Sequence, residues 1–361
     1  MVKKSILIVE NLERDLRNSR IPLGDFLSAN GYRVEYACPS KNSKNIHDLP
    51  ILRNTLSINL IRKGIRKLLA VEKKHEIDII LSFRLVPNIL NYLNSFIRRD
   101  KIRILVITGL GVIFTESNKT IKKRFIRNII KWFYYIASKR IVLVSHNRDD
   151  LKYLHVNNGH VVQGSGVSPV RSNLNLEIKG LSLLYAGRLL KSKGVMKAFN
   201  IFQKLRKSQS NVTLTIAGEI DPQNPDSITL EDLKIIKNTS GVKFLGFLED
   251  LNQAYSSCNV LLFLSQYREG VSRVIIEALK YGLTIITYDM PGCKDTINNN
   301  GLMINPKLKN EMHAVIHYLQ SLNKEVIKSN SLNSNKLFEE KFSNEKIYPE
   351  YLKVIYKYSN N

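Results

Sequence analysis

Cysteine is scarce in this chain. Cys38, Cys258 and Cys293 are the three among 361 residues, widely separated, which excludes a disulfide framework and a cysteine zinc site and points to a reducing cytosol. Long apolar runs are also missing, and none approaches the roughly 18 residues that would span a bilayer. The start, Met1-Val2-Lys3-Lys4 followed by Ser5 to Val9, is basic then apolar, but the run is short and no small-residue cleavage site follows. It reads as a first strand rather than a signal peptide. There is no Asp-x-Asp, and the Glu-x-Asp triplets at 76–78 and 219–221 have no further ligands in sequence. No metal site is expected. Internal repeats and low-complexity tracts are absent as well.

Acidic residues are few against the basic ones: 31 Asp and Glu face 55 Lys and Arg, for a formal charge of +24. The excess is uneven. Residues 1–178 hold 31 basic and 14 acidic side chains, or +17, and the remainder carries +7. A basic excess confined to one half implies an anionic partner there, and nucleic acid and an acidic membrane surface both qualify. No recognisable nucleic-acid module accompanies the charge.

With 43% hydrophobic residues, a chain of this length can fill the cores of two domains. Its most informative stretch lies in the second half. Asn259 to Ser265 is short, apolar and branched, as a buried parallel strand is. Arg268-Glu269-Gly270 follows. Val271, Val274, Ile275 and Ala278 then keep a helical period that Ser272 would cap and Tyr281-Gly282 would end. Leu283 to Thr287 restarts a strand. Glu269 is thereby placed in the loop at a strand's carboxyl end and Glu277 on the next helix, at the edge where open α/β sheets bind ligands. Two carboxylates there suit the hydroxyls of a ribose and a sugar. A second constellation, Ala186-Gly187-Arg188-Leu189-Leu190-Lys191-Ser192-Lys193-Gly194, ends strand 181–185 and opens helix 195–207. A strand-end Arg with a Lys five residues on has the composition of a phosphate clamp.

Together with Arg273, Glu277-Ala278 and Asp289-Met290-Pro291-Gly292-Cys293, these motifs resemble the donor-site signature of family 4 glycosyltransferases, as found in bacterial surface-polysaccharide biosynthesis. The resemblance implies an α/β chain of the GT-B fold: two doubly wound Rossmann-like domains facing a central cleft. Residues 1–168 would form an acceptor-binding domain, 169–179 a linker and 180–334 a nucleotide-sugar domain. Residues 335–361 would form a C-terminal helix returning to the first domain. The implied activity is retaining, metal-independent transfer of a hexosyl or N-acetylhexosaminyl group. The donor would be a nucleotide-sugar, UDP-linked, and the acceptor a glycan or a polyprenyl-diphosphate-linked glycan in O-antigen, lipopolysaccharide or capsule-type pathways. Arg188, Lys193 and Glu269 are then the catalytic candidates. Gly187, Gly218, Phe247, Gly270, Val271, Ser272 and Glu277 complete the donor site. The nucleotide-sugar is a co-substrate, and no separate cofactor is implied. A GT-B nucleotide-sugar epimerase, or a non-catalytic basic protein binding membrane or nucleic acid, are the alternatives.

In the first half the family's pattern is partial. Ser19-Arg20-Ile21-Pro22-Leu23 resembles a Ser-His-Arg-Leu-Pro-Leu-like turn without its His, and Arg20 reads equally as an acceptor-side group or a surface Arg opening a helix. Thr108-Gly109-Leu110-Gly111 ends strand 102–108 where many members carry His at the Thr108 position. Thr108 and Gly109 are acceptor-side candidates, and an ordinary turn is the alternative. His146, at the end of strand 141–145, reads as structural. In Ser117 to Arg140, Ile121, Phe125, Ile129, Trp132 and Ile136 make one apolar stripe, with Lys123, Arg127 and Lys131 on a separate face. Either the stripe packs into the core beneath a solvated basic back, or the helix lies on anionic lipid. The latter would make the protein cytoplasmic and peripheral on the inner face of the cell membrane.

Overall fold

The computed structural model describes residues 4–40, 45–51, 57–114, 120–169, 180–222 and 224–359. The expected linker from Val170 to Lys179 lies outside them. The chain divides into two compact units: Met1–Ile113, Lys119–Gly166 and Asn344–Asn361 form the first, and Phe114–Asn118 with Val167–Ser343 the second.

Each unit is built on a parallel sheet. In the first, β1 (Ser5–Val9), β2 (Arg33–Cys38), β3 (His47–Asp48), β4 (Ile79–Phe83), β5 (Ile102–Ile107), β6 (Val142–Ser145) and β7 (His160–Val161) run in the order β3-β2-β1-β4-β5-β6-β7. In the second, β8 (Ser182–Ala186), β9 (Thr213–Ala217), β10 (Val242–Gly246), β11 (Val260–Phe263), β12 (Thr284–Tyr288) and β13 (Gly301–Ile304) run in the order β10-β9-β8-β11-β12-β13. β3, β7 and β13 were not expected. They are margin strands of two to four residues, too short to carry a period of their own, and pairing to a neighbour defines them.

Strand residues serve two cores because successive side chains point to opposite faces. Ile6 and Ile8 join one cluster of the first unit while Leu7 and Val9 join another. Leu183 and Tyr185 part from Leu184 and Ala186 in the same way. Both faces are buried, which is why these strands read as continuous apolar runs.

The helical segments bring three differences. The turn before Ile21 is not a polar loop: the chain is helical from Glu13, through a π turn Leu16–Arg20, into helix Ile21–Ala29. Pro22 has no N–H to donate, and the wider turn before it removes the need for one. The expected return of 335–361 as one piece is also revised. Leu337, Phe338 and Phe342 fill the second unit's core, whereas Ile347, Tyr348, Tyr351 and Ile355 of helix Asn344–Ser359 fill the first unit's. The boundary after 168 moves too. Val167 donates its N–H to the Phe342 carbonyl (3.3 Å) and bridges Ser343, so Val167 and Ser168 go with the second unit.

One buried polar knot ties the first sheet to its helices. Arg103 on β5 and Glu72 on helix Ile58–Lys74 pair at 2.8 Å with essentially no exposure. Asn91 accepts from the same guanidinium at 2.8 Å, and Asn94 donates to Glu72 at 3.2 Å. Truncating one partner strands a buried charge, a loss of about 3–5 kcal/mol. Arg103→Ala should therefore lower unfolding free energy by that amount in urea titration. A loss near that of a surface ion pair would show that the pair is not sealed from water.

Candidate active site

The second sheet reverses between β8 and β11: from β8 the chain builds outward to β9 and β10, then returns to β8's other side. At such a switch point neighbouring loops part and leave a crevice at the carboxyl ends. Arg188 follows β8 and Glu269 follows β11, so the order of the strands places them on either side of it. Lys193 closes a 3₁₀ turn, Lys191–Lys193, before helix Val195–Ser208. Its ammonium pairs with the Glu269 carboxylate and lies 4.7 Å from the Tyr267 ring centroid. Ser265 donates to the same Glu269 oxygen at 3.2 Å. Arg188 pairs with Asp221 at 3.2 Å, and its carbonyl accepts from the buried Tyr185 hydroxyl at 2.7 Å.

Backbone approach here is close enough to need glycine. Gly194, in the left-handed region at φ 86°, would set a Cβ 2.5 Å from the Leu264 carbonyl oxygen. Gly292 (φ 79°) would set one 2.0 Å from the carbonyl oxygen of Gly270. The loop after β12 is thus pressed onto the loop carrying Glu269 and Gly270. That contact explains the Gly292 of the sequence motif.

Glu277 has both oxygens engaged: Arg273 donates to one at 2.7 Å, and the Tyr255 hydroxyl to the other at 3.1 Å. Burial, then the carboxylate beside it, pushes the Tyr255 phenol well above its ordinary range, so it serves as a donor. Ser272 occupies the N-cap of helix Arg273–Lys280, but its side chain makes no capping bond, contrary to expectation. Gly187 and Gly218 sit after β8 and β9. Gly218 donates its N–H to the Gly246 carbonyl at 2.7 Å, and Phe247 is exposed just past β10. Val271 and Gly270 are buried in the loop before the helix. Asp221, Ser265, Tyr255 and Tyr267 were not among the expected site residues, since nothing local marks their partners.

The first sheet reverses between β1 and β4, and a second polar cluster stands there. Glu10, fully buried just past β1, pairs with Arg20 at 3.2 Å and Arg84 at 3.2 Å, and Arg84 also pairs with Asp15. Burial pushes the Glu10 carboxyl up against the pull of both guanidiniums. Arg20 is neither a surface group nor a free acceptor contact. The π turn aims it inward, where it is buried and lies 3.8 Å from the Phe83 ring centroid. Arg84 holds φ at 74° without being glycine, a strained conformation of a kind that clusters at functional sites. Glu10 and Arg84 each directly follow an apolar strand, the signal that marked Glu269's loop, and both were missed. Thr108 and Gly109 lie half-buried past β5. His146, past β6, is buried with Nε2 3.0 Å from the Tyr351 hydroxyl, and burial lowers its pKa to about 3.

Residues 170–336 match the family described as Glycosyl transferases group 1. The protein is a glycosyltransferase. CapM, a capsular polysaccharide biosynthesis glycosyltransferase of Staphylococcus aureus, is 24% identical over 375 residues, spanning 97% of this chain and 93% of its own. Among solved structures, sucrose-phosphate synthase from Thermosynechococcus elongatus has a TM-score of 0.77 at 18% identity, covering 99% of this chain and 100% of its own. Anabaena HepE in complex with UDP-glucose has a TM-score of 0.72 at 14% identity, covering 98% and 99%. The glycosyltransferase has the two Rossmann-like parallel-sheet domains of the GT-B fold.

His146 gives this glycosyltransferase a measurable pH dependence. Its folded pKa lies below the unfolded one near 6.5, so protons bind preferentially to the unfolded chain between about pH 6.5 and 3. Stability from this group is complete above that window and falls as pH drops through it, by about 2 kcal/mol between pH 6.5 and 5. Denaturant unfolding should show wild type losing that much more than His146→Gln over the interval. Equal losses would place a protonatable, solvated ring at this position.

Proposed function

We propose that this glycosyltransferase is a retaining enzyme that moves a sugar from a UDP-sugar to a glycan or polyprenyl-diphosphate-linked acceptor in capsule-type polysaccharide synthesis. The observation that carries the reading is the Lys193–Glu269 pair, with the strand-end Arg188, at the switch point of the second sheet. The named likenesses, to a capsular enzyme and to a structure holding UDP-glucose, support the acceptor class and the donor.

The chemistry follows from where charge develops. Breaking the bond between the anomeric carbon and the diphosphate leaves negative charge on the leaving group, which Arg188 and Lys193 would stabilise. Lys193 and Glu269 neutralise one another as a pair. A nucleotide-sugar would divide the pair, taking the ammonium to its diphosphate and leaving the carboxylate to accept from the sugar's hydroxyls. Backbone amides of Gly270, Val271 and Ser272 would assist at the helix mouth. Glu277, held by Arg273 and Tyr255, would accept from ribose hydroxyls. Retention needs no inverting base, since a donor phosphate oxygen can take the acceptor's proton. The two cations would take the place of a metal on the diphosphate. Arg84, Thr108 and Gly109 are the acceptor-side candidates.

Removing one such donor costs about 100-fold or more in rate. Arg188→Ala and Lys193→Ala should each lower turnover of UDP-sugar by that factor while leaving unfolding unchanged. Wild-type turnover in both would remove the mechanism. Glu277→Gln should weaken UDP binding in calorimetric titration, whereas Glu269→Gln should slow transfer with less effect on UDP. Equal loss of UDP affinity in both would end that division of roles.

Attachment to the inner face of the cell membrane is the second part of the reading. Among the described residues no helix is long and apolar enough to cross a membrane. Of the two readings left open for its apolar stripe, helix Ile121–Ala137 departs from the core-packed one: Ile121 is 88% exposed, Phe125 66% and Trp132 66%. The basic face is the one turned inward. Arg127 donates to the Ile113 carbonyl, and Lys131 lies 4.3 Å from the Tyr153 ring centroid. Ile130, Tyr134 and Ala137 anchor that side, and Lys123 is half-buried. Lys122 and Arg124, exposed beside the apolar stripe, therefore replace Lys123, Arg127 and Lys131 as the lipid-facing cations. Basic residues at an anionic surface contribute about 1 kcal/mol each, screened by salt. The protein should cosediment with anionic liposomes at low salt. Phe125→Ser with Trp132→Ser should abolish this, and Lys122→Glu with Arg124→Glu should weaken it more than Lys131→Glu. Indifference to anionic liposomes, or tighter binding to duplex DNA, overturns the assignment.

A further inference from the structure

The outer margin of the first sheet carries a cluster that sugar transfer does not use. β2 and β3 pair with Ala37 opposite His47. Glu35 is two residues before Ala37, so the pleat puts Glu35 and His47 on one face. Helix Ile58–Lys74 covers that face, with Leu68 and Val71 in one cluster with Ala37 and Leu49. Its C-cap residue, His75, comes down beside Glu35. The Arg33 guanidinium donates to the His75 carbonyl and fixes that end of the helix.

Three side chains from three elements thus converge. His47 Nε2 lies 3.0 Å from one Glu35 oxygen and His75 Nδ1 3.4 Å from the other. The two imidazoles have centroids 4.4 Å apart, and one ligand atom from each of the three residues falls within 4.8 Å of the others. All three are about three-quarters buried. A tetrahedral zinc with bonds of 2.0–2.1 Å separates its ligand atoms by roughly 3.3 Å, so atoms that lie within 4.8 Å of one another need only a modest side-chain adjustment to hold it.

We propose that Glu35, His47 and His75 bind one Zn²⁺, with water completing the shell. Two imidazoles and a carboxylate are a zinc donor set. The metal would tie the two-residue strand β3 to β2 and to the end of the covering helix. It is separate from the donor-site chemistry, where no metal is proposed. Ordinary metal-site patterns gave no warning, because the ligands are 12 and 28 residues apart in sequence and meet only through strand pairing and helix packing.

The test uses the full chain, stripped with EDTA and titrated with Zn²⁺ against a chromophoric chelator. Wild type should bind one equivalent with an affinity on the order of micromolar or tighter. His47→Ala and His75→Ala should each weaken binding by about 100-fold or more. Added zinc should raise the thermal midpoint of wild type and leave both variants unmoved, with circular dichroism and UDP titration confirming that the variants are folded. X-ray absorption at the zinc edge should show only nitrogen and oxygen ligands, two of them imidazole. The proposal falls if wild type shows no saturable binding up to about 100 µM Zn²⁺, if folded variants bind as wild type does, or if sulfur appears in the shell. In those cases the cluster is two imidazoles hydrogen-bonded to one carboxylate.

Discussion

Parallel strands buried on both faces are the constraint from which the rest of this molecule follows. A parallel neighbour can be reached only by a crossover, and crossovers return the chain to the same sheet edge each time. Where the strand order reverses, crossovers diverge and leave a crevice at the carboxyl ends. Each sheet has one such reversal, at β1/β4 and at β8/β11. Ion-paired polar clusters stand at both places: Glu10, Arg20, Arg84 and Asp15 in one unit, and the pairs Arg188–Asp221 and Lys193–Glu269 in the other. Topology decides where chemistry can be placed before any side chain decides what it is.

A chain carrying +24 would seem to need only basic residues to bind a diphosphate. The site is instead made of opposed pairs. Lys193 on Glu269 and Arg188 on Asp221 hold each side chain in a defined position; under the proposed donor role, a nucleotide-sugar bringing anions and hydroxyls together would replace both partners at once. Cations without carboxylate partners would bind any polyanion. Charge distribution also has a second level. The basic face of helix Ile121–Ala137 is partly used up against Ile113 and Tyr153, and what it offers outward is apolar, flanked by Lys122 and Arg124. Net charge alone therefore misstates which surface an anionic partner would meet.

The clusters also differ in how firmly they are held. Glu10 and Arg20 are sealed in the interior, and Arg84 keeps a strained backbone beside them. Such a group is costly to leave unpaired, so the first unit's cluster is a fixed feature of its fold. The second unit's pairs are partly open to solvent, where an ion pair contributes little and can be exchanged. That difference leaves the first unit's cluster rigid and the second unit's pairs exchangeable.

How much of this was legible in sequence depends on whether the information is local. Periods and strand-end residues are local. They gave the core strands to within a residue or two, helix Arg273–Lys280, the division into two units, and the placement of Arg188, Lys193, Glu269 and Glu277. The Gly292 contact was foreshadowed by its motif. Margin strands of two to four residues carry no period, so β3, β7 and β13 exist only through their neighbours. The outward turn of Phe125 and Trp132 was not legible either, because a helix's periodicity identifies its faces without saying which one meets the body. Neither were the Glu10–Arg84 pair, the Tyr255 bond to Glu277, the buried His146 or the meeting of Glu35, His47 and His75. Sequence by itself determined the alternation of elements and which residue types stand at strand ends, since both follow from backbone geometry over a few residues. Only the tertiary structure decided which of those residues face one another, because hydrogen bonds and ion pairs act over a few ångströms in space and are indifferent to separation along the chain.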